Sequence, residues 1–174
     1  MSDRPPSLTV PDAAAVIAWD SHGELEVLTF DVGGESFAVE AVLVRELVEL
    51  LPETAVPGAP ALVDAMVNFR GRIVPVADLR AAFAMPAAGA TADSRIIVVE
   101  LTVADETLLL GLRADRVHEV ATLTEASSED APSVGVRWPR AYVRRLVRWR
   151  DDVIVLPDLV AILTPALGGA ALTC

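Results

Sequence analysis

The chain has no lysine. All 14 basic residues are arginine, so chemistry that needs a side-chain amine, such as Schiff-base formation, is excluded. Cysteine is nearly absent: Cys174, at the last position, is the one thiol, and no intrachain disulfide or cysteine-based metal site can form. The two histidines are His22 and His118, and no cluster of histidine, cysteine and carboxylate has metal-ligand spacing. His118, next to Glu119, reads as a partly exposed strand residue rather than a catalyst. There is no phosphate loop, because Gly33-Gly34 is followed by Glu35-Ser36-Phe37 and reads as a hairpin turn. There is no Gly-x-Ser-x-Gly nucleophile elbow. The adjacent acids Glu129-Asp130 and Asp151-Asp152 fall in turn-like stretches and read as solvated. A basic footprint for nucleic acid is missing too, since the net charge is −11. No basic segment followed by an apolar leader opens the chain, and the tail Leu159–Cys174 is broken by Pro165 and Gly168-Gly169. The expectation is a soluble cytoplasmic protein that is not an enzyme, needs no cofactor or metal, binds no nucleic acid and inserts in no membrane.

What the chain does hold is aliphatic. Hydrophobic residues make up 53% of its 174 positions and aromatics only 5%, so its interior must be built from Val, Leu, Ile and Ala. The length suits one domain or two small lobes sharing a core. Residues 1–23 read as a flexible N-terminal arm. Leu25–Val32 and Ser36–Val39 read as a hairpin about Gly33-Gly34. Val42–Leu51 reads as strand or helix, and Pro52, Pro57, Gly58 and Pro60 then interrupt the chain. Residues 60–67 suit a short helix with Pro60 in its first turn. A turn at Arg70-Gly71, a strand Arg72–Val76 and a short helix Leu79–Phe83 capped by Asp78 follow. Past the small-residue linker Ala84–Asp93 come strands Arg95–Val103, Thr107–Leu112 and Val117–Leu123. An acidic loop Glu125–Val134 and a hairpin of Tyr142–Trp149 with Val153–Leu156 about Asp151-Asp152 follow. Asp158 caps Leu159–Leu163.

These elements repeat. Arg70–Phe83 (RGRIVPVADLRAAF) lies over Arg150–Leu163 (RDDVIVLPDLVAIL) at an offset of 80, matching Arg70 to Arg150 and Asp78-Leu79 to Asp158-Leu159. Phe37–Leu47 lies over Leu110–Val120 at an offset of 73, matching Val44 to Val117 and Glu46 to Glu119. Both matches fall in the same order. Units this long suit two similar lobes rather than a solenoid of repeats of about 20–50 residues. Short strands, frequent turns and few helices point to two small β-barrels. Barrel edges, bulges and bends are also where Pro75 can sit in a strand.

Six arginines crowd the segment Arg137–Arg150, interleaved with Tyr142, Val143, Leu146, Val147 and Trp149. Two readings stand: a solvated strand face, or a surface that docks an acidic partner.

The stretch VNFRGRIVPVADLR, Val67–Arg80, resembles the signature of the CheW family, the coupling proteins of bacterial chemosensory arrays. Asn68, Arg70, Gly71, Ile73, Val74, Pro75, Val76, Asp78, Leu79 and Arg80 follow the family pattern, Phe69 replaces the usual Leu, and Ala65 stands where Gly is common. LTFDVGGESFAVEAVLVRELV and LLLGLRADRVHEVATL resemble the family's first hairpin and middle segment, so the resemblance runs from about Leu25 to Thr164. It implies two interleaved five-stranded SH3-like barrels around a shared apolar core. The domain would span 24–164, with a lobe boundary near 84–93 and a tail at 165–174. It implies binding to the regulatory domain of a CheA-type histidine kinase and to the cytoplasmic tip of a methyl-accepting chemoreceptor held between the lobes. The length leaves no room for a kinase core or receiver domain, which favours a free adaptor. Carried over by position, Val44, Glu46, Asn68, Arg70, Gly71, Ile96 and Val120 would be partner-binding residues. Val44, Ile96 and Val120 also suit core positions, and Asp78 and Arg80 read as structural. A diverged scaffold that binds the kinase but not receptors, or serves a non-flagellar pathway, is the alternative, motivated by Ala65 and the arginine cluster. A small-molecule sensor would need a pocket between the lobes.

Overall fold

In a computed structural model the described residues are 17–103, 105–130 and 139–167. They form twelve strands and two helices. The first half contains β1 (Glu24–Val32), β2 (Glu35–Glu40), β3 (Val44–Glu49), β4 (Glu53–Ala55), β5 (Ala65–Phe69), β6 (Arg72–Ala77) and α1 (Leu79–Ala82). The second contains β7 (Arg95–Val103), β8 (Glu106–Ala114), β9 (Arg116–Thr124), β10 (Ser128–Glu129), β11 (Val143–Trp149), β12 (Asp152–Pro157) and α2 (Leu159–Leu167).

The strands make two curled six-stranded sheets. Lobe A runs β10-β11-β12-β2-β1-β9 and lobe B runs β4-β5-β6-β8-β7-β3. Adding six to each label in lobe B, and counting past β12 back to β1, gives lobe A. The sequence repeat is therefore a structural one, and the molecule is the mostly β pair of SH3-like lobes that the sequence suggested. Each sheet has six strands rather than five, because the very short β4 and β10 add an edge to each. The first hairpin of each half is exchanged: β7-β8 join the lobe B sheet, where β7 pairs with β3, and β1-β2 join the lobe A sheet, where β1 pairs with β9. The linker 84–93 divides the sequence halves but not the sheets.

Three two-residue turns close the main hairpins through backbone with positive φ. They are Gly33-Gly34 (60° and 81°), Arg70-Gly71 (51° and 79°) and Arg150-Asp151 (48° and 65°). This is the left-handed geometry whose twist matches paired strands. The last turn falls one residue before the expected Asp151-Asp152, since Trp149 already pairs with Asp152. Residues 60–67 are not a helix. A single 3-10 turn, Ala61–Val63, gives way to β5, whose Ala65 and Val67 are buried. Within the span Val42–Leu51 a 3-10 turn, Ala41–Leu43, leads into the strand β3, Val44–Glu49, along which half-buried and exposed residues alternate. Ile17 and Trp19 pack on the lobe A core, so the end of the expected arm belongs to the lobe. Helix α2 runs through Pro165 to Leu167, beyond the expected domain end at 164.

The position of Pro75 follows from the ladder. It faces Met66 of β5, three pairs from the turn-closing pair Phe69–Arg72 and on the same side of the alternation as Asn68–Ile73. In a two-residue hairpin such pairs exchange no hydrogen bonds. Toward β8, pairing starts only at Val76–Gly111. No ladder bond therefore needs the missing N–H.

One apolar core lies between the lobes and one inside each. The central core holds Phe30, Phe37, Phe83, Leu110, Leu112, Ile162 and Leu163. Phe37 of lobe A meets Phe83, just after α1, edge-on at 5.1 Å. Asp78 caps α1 through the Arg80 N–H at 3.1 Å, and Asp158 caps α2 through the Ala161 N–H at 3.0 Å. Among the described residues no helix is long and apolar enough to cross a membrane.

Candidate protein-docking site

The residues expected to meet partners divide between a rim and an interior. Arg70 stands at the β5–β6 tip with its side chain 72% exposed and Nη2 2.7 Å from Glu46 Oε2 of β3. Its guanidinium also lies 5.3 Å from the centre of the Phe69 ring. The β3–β7 register slips between Val44 and Glu46. A bulge of this kind re-aims a side chain, here turning Glu46 to the barrel mouth. Glu46 and Arg70 thus tie the first strand at one edge of the curled sheet to a hairpin near the other.

Asn68 serves the turn itself: its Oδ1 accepts the Gly71 N–H at 2.9 Å. Gly71 supplies the second left-handed residue, with open space around it. Val44 is half-buried against the central core. Val120 is 56% exposed on β9, in the other lobe. Ile96 corrects the expectation: it is fully buried in the lobe B core with Val67, Val74, Val76 and Val98, and offers no surface to a partner. Gly111 lets it settle there, since a Cβ on that glycine would stand 2.9 Å from Ile96 Cγ2.

The same rim exists on lobe A, and sequence reasoning did not propose it. Arg150 Nη1 lies 3.1 Å from Glu119 Oε1, and its guanidinium sits 4.4 Å from the Trp149 ring centre. The β1–β9 register also slips beside Glu119, between Leu28 and Phe30. Thr29 Oγ1 donates to the Glu119 carbonyl at 3.0 Å within that irregularity. The signal was present in the overlay that puts Arg70 on Arg150 and Glu46 on Glu119.

The arginine cluster separates into roles. Arg144 is half-buried and pairs with Glu40 at 2.5 Å, and Arg145 pairs with Asp130 at 2.6 Å. Arg148 is exposed and has no ionic partner among the described residues. Arg137 lies outside the described residues.

The chain passes from one sheet to the other between β2 and β3 and between β8 and β9, and a cleft lies beside each passage. One, of about 330 Å³, is lined by Arg80, Arg113, Asp78, Asp115 and Glu53. Burial works against the charge on Arg113, but its hydrogen bonds to Glu53 and the nearby Asp78 and Asp64 outweigh it and raise its pKa. The other, about 770 Å³, has Leu43, Leu101, Leu159 and Val160 beside Arg45 and Arg144. Among the described residues no group of carboxylates and histidines is arranged to hold a metal.

Twin β lobes with charged rims and a cleft on each side define a binding module of the scaffold type. A family model described as the CheW-like domain matches residues 26–166, and the chain belongs to that family. It is 29% identical to a probable chemotaxis protein CheW of Rhizobium etli over 151 residues, covering 87% of this chain and 95% of that protein. It is 30% identical to the chemotaxis protein CheW of Rhizobium meliloti over 139 residues, covering 80% and 87%. Among solved structures it resembles the scaffolding protein TtCheW from Thermoanaerobacter tengcongensis, with TM-score 0.67, 31% identity and 76% and 88% coverage.

Proposed function

We propose that this protein is an adaptor of chemosensory signalling, coupling chemoreceptors to a CheA-type histidine kinase by protein–protein binding in the cytoplasm. The observation that carries the reading is the lobe B rim. A mostly exposed arginine is held in place by a carboxylate and an aromatic ring at a left-handed turn. Exposed Ile73 and Leu47 lie on the same hairpin and on the same β3 strand. An oriented charge with apolar neighbours is a common form of specific interface. In this reading Val44, Glu46, Asn68, Arg70 and Gly71 make or shape one contact surface, and Val120 belongs to another on lobe A. The names of the relatives, chemotaxis and scaffolding proteins, support it.

The test is a titration of the full chain against the kinase regulatory domain and, in parallel, a receptor hairpin fragment, for wild type and Arg70→Glu. The adaptor reading expects both partners to bind and Arg70→Glu to lose the receptor fragment selectively. Binding to neither partner overturns it. The second reading, a scaffold that binds only the kinase, rests on Arg148, since Arg144 and Arg145 are held within the chain. It expects Arg148→Glu to weaken kinase binding and Arg70→Glu to do little.

A further inference from the structure

The chain crosses between the sheets twice at equivalent points of the repeat, and the two crossings are built differently. Between β8 and β9 the crossing residue is Asp115. Both of its carboxylate oxygens accept from Nη2 of Arg80, a buried side chain of α1. The same carboxylate accepts the Gly33 N–H of the lobe A hairpin turn at 2.8 Å, and the Asp115 N–H donates to the Asp31 carbonyl at 2.8 Å. Three further contacts run the same way. Met85 lies against Gly33, where a Cβ would come within 2.5 Å of its Sδ. Phe83 packs on Phe37, and Arg116 of β9 pairs with Asp93, just before β7, at 2.9 Å.

At the other crossing the equivalents of Asp115 and Arg80 are Val42 and Val160. Val42 is 77% exposed. The ion pairs there stay inside one sheet: Arg144 with Glu40 in lobe A, and Arg45 with Glu100 in lobe B. Among the described residues none bridges the lobes on this side, and the wider cleft lies there.

We propose that Arg80, acting through Asp115, is a positioning residue for the two-lobe docking surface: it locks the lobes together at one junction, whereas the junction of Val42 and Val160 carries no such tie. The argument is geometric. A planar guanidinium held by one carboxylate, itself held by a backbone N–H of the opposite lobe, restrains orientation as well as distance. Valines restrain neither. The consequence for binding rests on the adaptor reading above, whereas the lock itself does not.

The test measures the distance between lobes in the full chain, with Cys174→Ser to remove the native thiol. Spin labels are placed at Thr54→Cys of β4 and Arg148→Cys of β11, both exposed. The wild-type background is expected to give one narrow distance distribution. Asp115→Asn and Arg80→Lys are expected to broaden it, and Asp115→Glu, which keeps the charge, to stay narrow. Arg80→Lys keeps a cation but loses the fork, so it decides the matter where Asp115→Asn does not fold. In the unlabelled protein, Arg80→Lys should weaken kinase-domain binding about tenfold, the scale of a coupling between sites. Superimposable distributions for wild type, Asp115→Asn and Arg80→Lys overturn the lock, whatever the titration shows. Failure of wild type to bind either the kinase domain or the receptor fragment, with distances behaving as expected, overturns the adaptor reading and leaves the lock standing.

Discussion

Lobes A and B share one plan, and the positions they keep differ in kind from those they change. Both keep an arginine on a left-handed hairpin tip, a glutamate at a strand irregularity to receive it, and an aromatic ring beneath it. The interior is filled differently. Lobe B sets Ile96 and Gly111 where the strand registers of lobe A place Val27 and Ala38. The central core takes Phe83 from the first half and Leu163 from the second. A cross-strand tie is Arg45–Glu100 in lobe B and His118–Asp31 in lobe A, so only the lobe A tie needs a protonated histidine to be ionic. Core volume can be traded between neighbours provided the sum is kept. Turn geometry and a bulge cannot be traded that way, and they are what both halves retain.

The largest expected break in the comparison is at Phe83. It touches Phe37 and Tyr142, and Phe83→Ala should cost about 3–5 kcal/mol of stability in urea unfolding. Phe83→Leu, which copies Leu163, should cost less. Next comes Gly111→Ala, which gives lobe B the residue of lobe A. The added methyl meets Ile96 Cγ2, and the variant should lose about 1–3 kcal/mol. Ile96→Leu removes that branch at Cβ, so the double variant should recover most of the loss. Recovery would show that each pair is a matched solution. No recovery would locate the constraint in the β6–β8 backbone instead.

A smaller effect should appear in acid. Burial alone would raise the Asp115 pKa, but the Arg80 hydrogen bond, the Gly33 N–H and the Arg80 charge outweigh it and hold the carboxyl below its usual range. Its folded pKa therefore lies under the unfolded value of about 3.9. The stabilisation is complete above that value and is lost as pH falls through the folded pKa. Asp115→Asn should flatten this part of a stability profile taken downward from pH 6. Val42→Asn, at the equivalent crossing, should leave its shape unchanged. The smallest effect on stability belongs to the rims. Arg70→Glu and Arg150→Glu replace exposed pairs and should each change it by about 1 kcal/mol or less, whatever they do to binding.

Much of this arrangement was legible in the chain. Arg70-Gly71, Asp78 and their counterparts Arg150-Asp151 and Asp158 act through local backbone chemistry, which leaves a trace at fixed spacing. The pairing of β3 with β7 and of β9 with β1 was not legible from the residues themselves, because either strand would bury the same alternating face on the hairpin of its own half or on that of the other. Ile96 misled for a related reason. In β7 both faces are covered, so Ile96, Ile97, Val98 and Val99 are all buried and periodicity cannot tell them apart. Strands as short as β4 and β10 carry too few residues to show a pattern. The partners of Arg80 and Arg113 come from distant stretches of the chain and are visible only after folding.

The exchanged first hairpins limit how the molecule can be divided. Neither 24–83 nor 95–163 contains all the strands of one sheet. A cut in the linker 84–93 would therefore yield two fragments that each need the other to close their edges, a split protein that reassembles rather than two independent domains. By the same topology, a chain of half this length could complete its sheet only by lending its first hairpin to another copy and borrowing that copy's in return. Covalent fusion of two such halves lets them diverge without losing each other. That freedom is what allows one crossing to carry Arg80 and Asp115 while the other carries two valines.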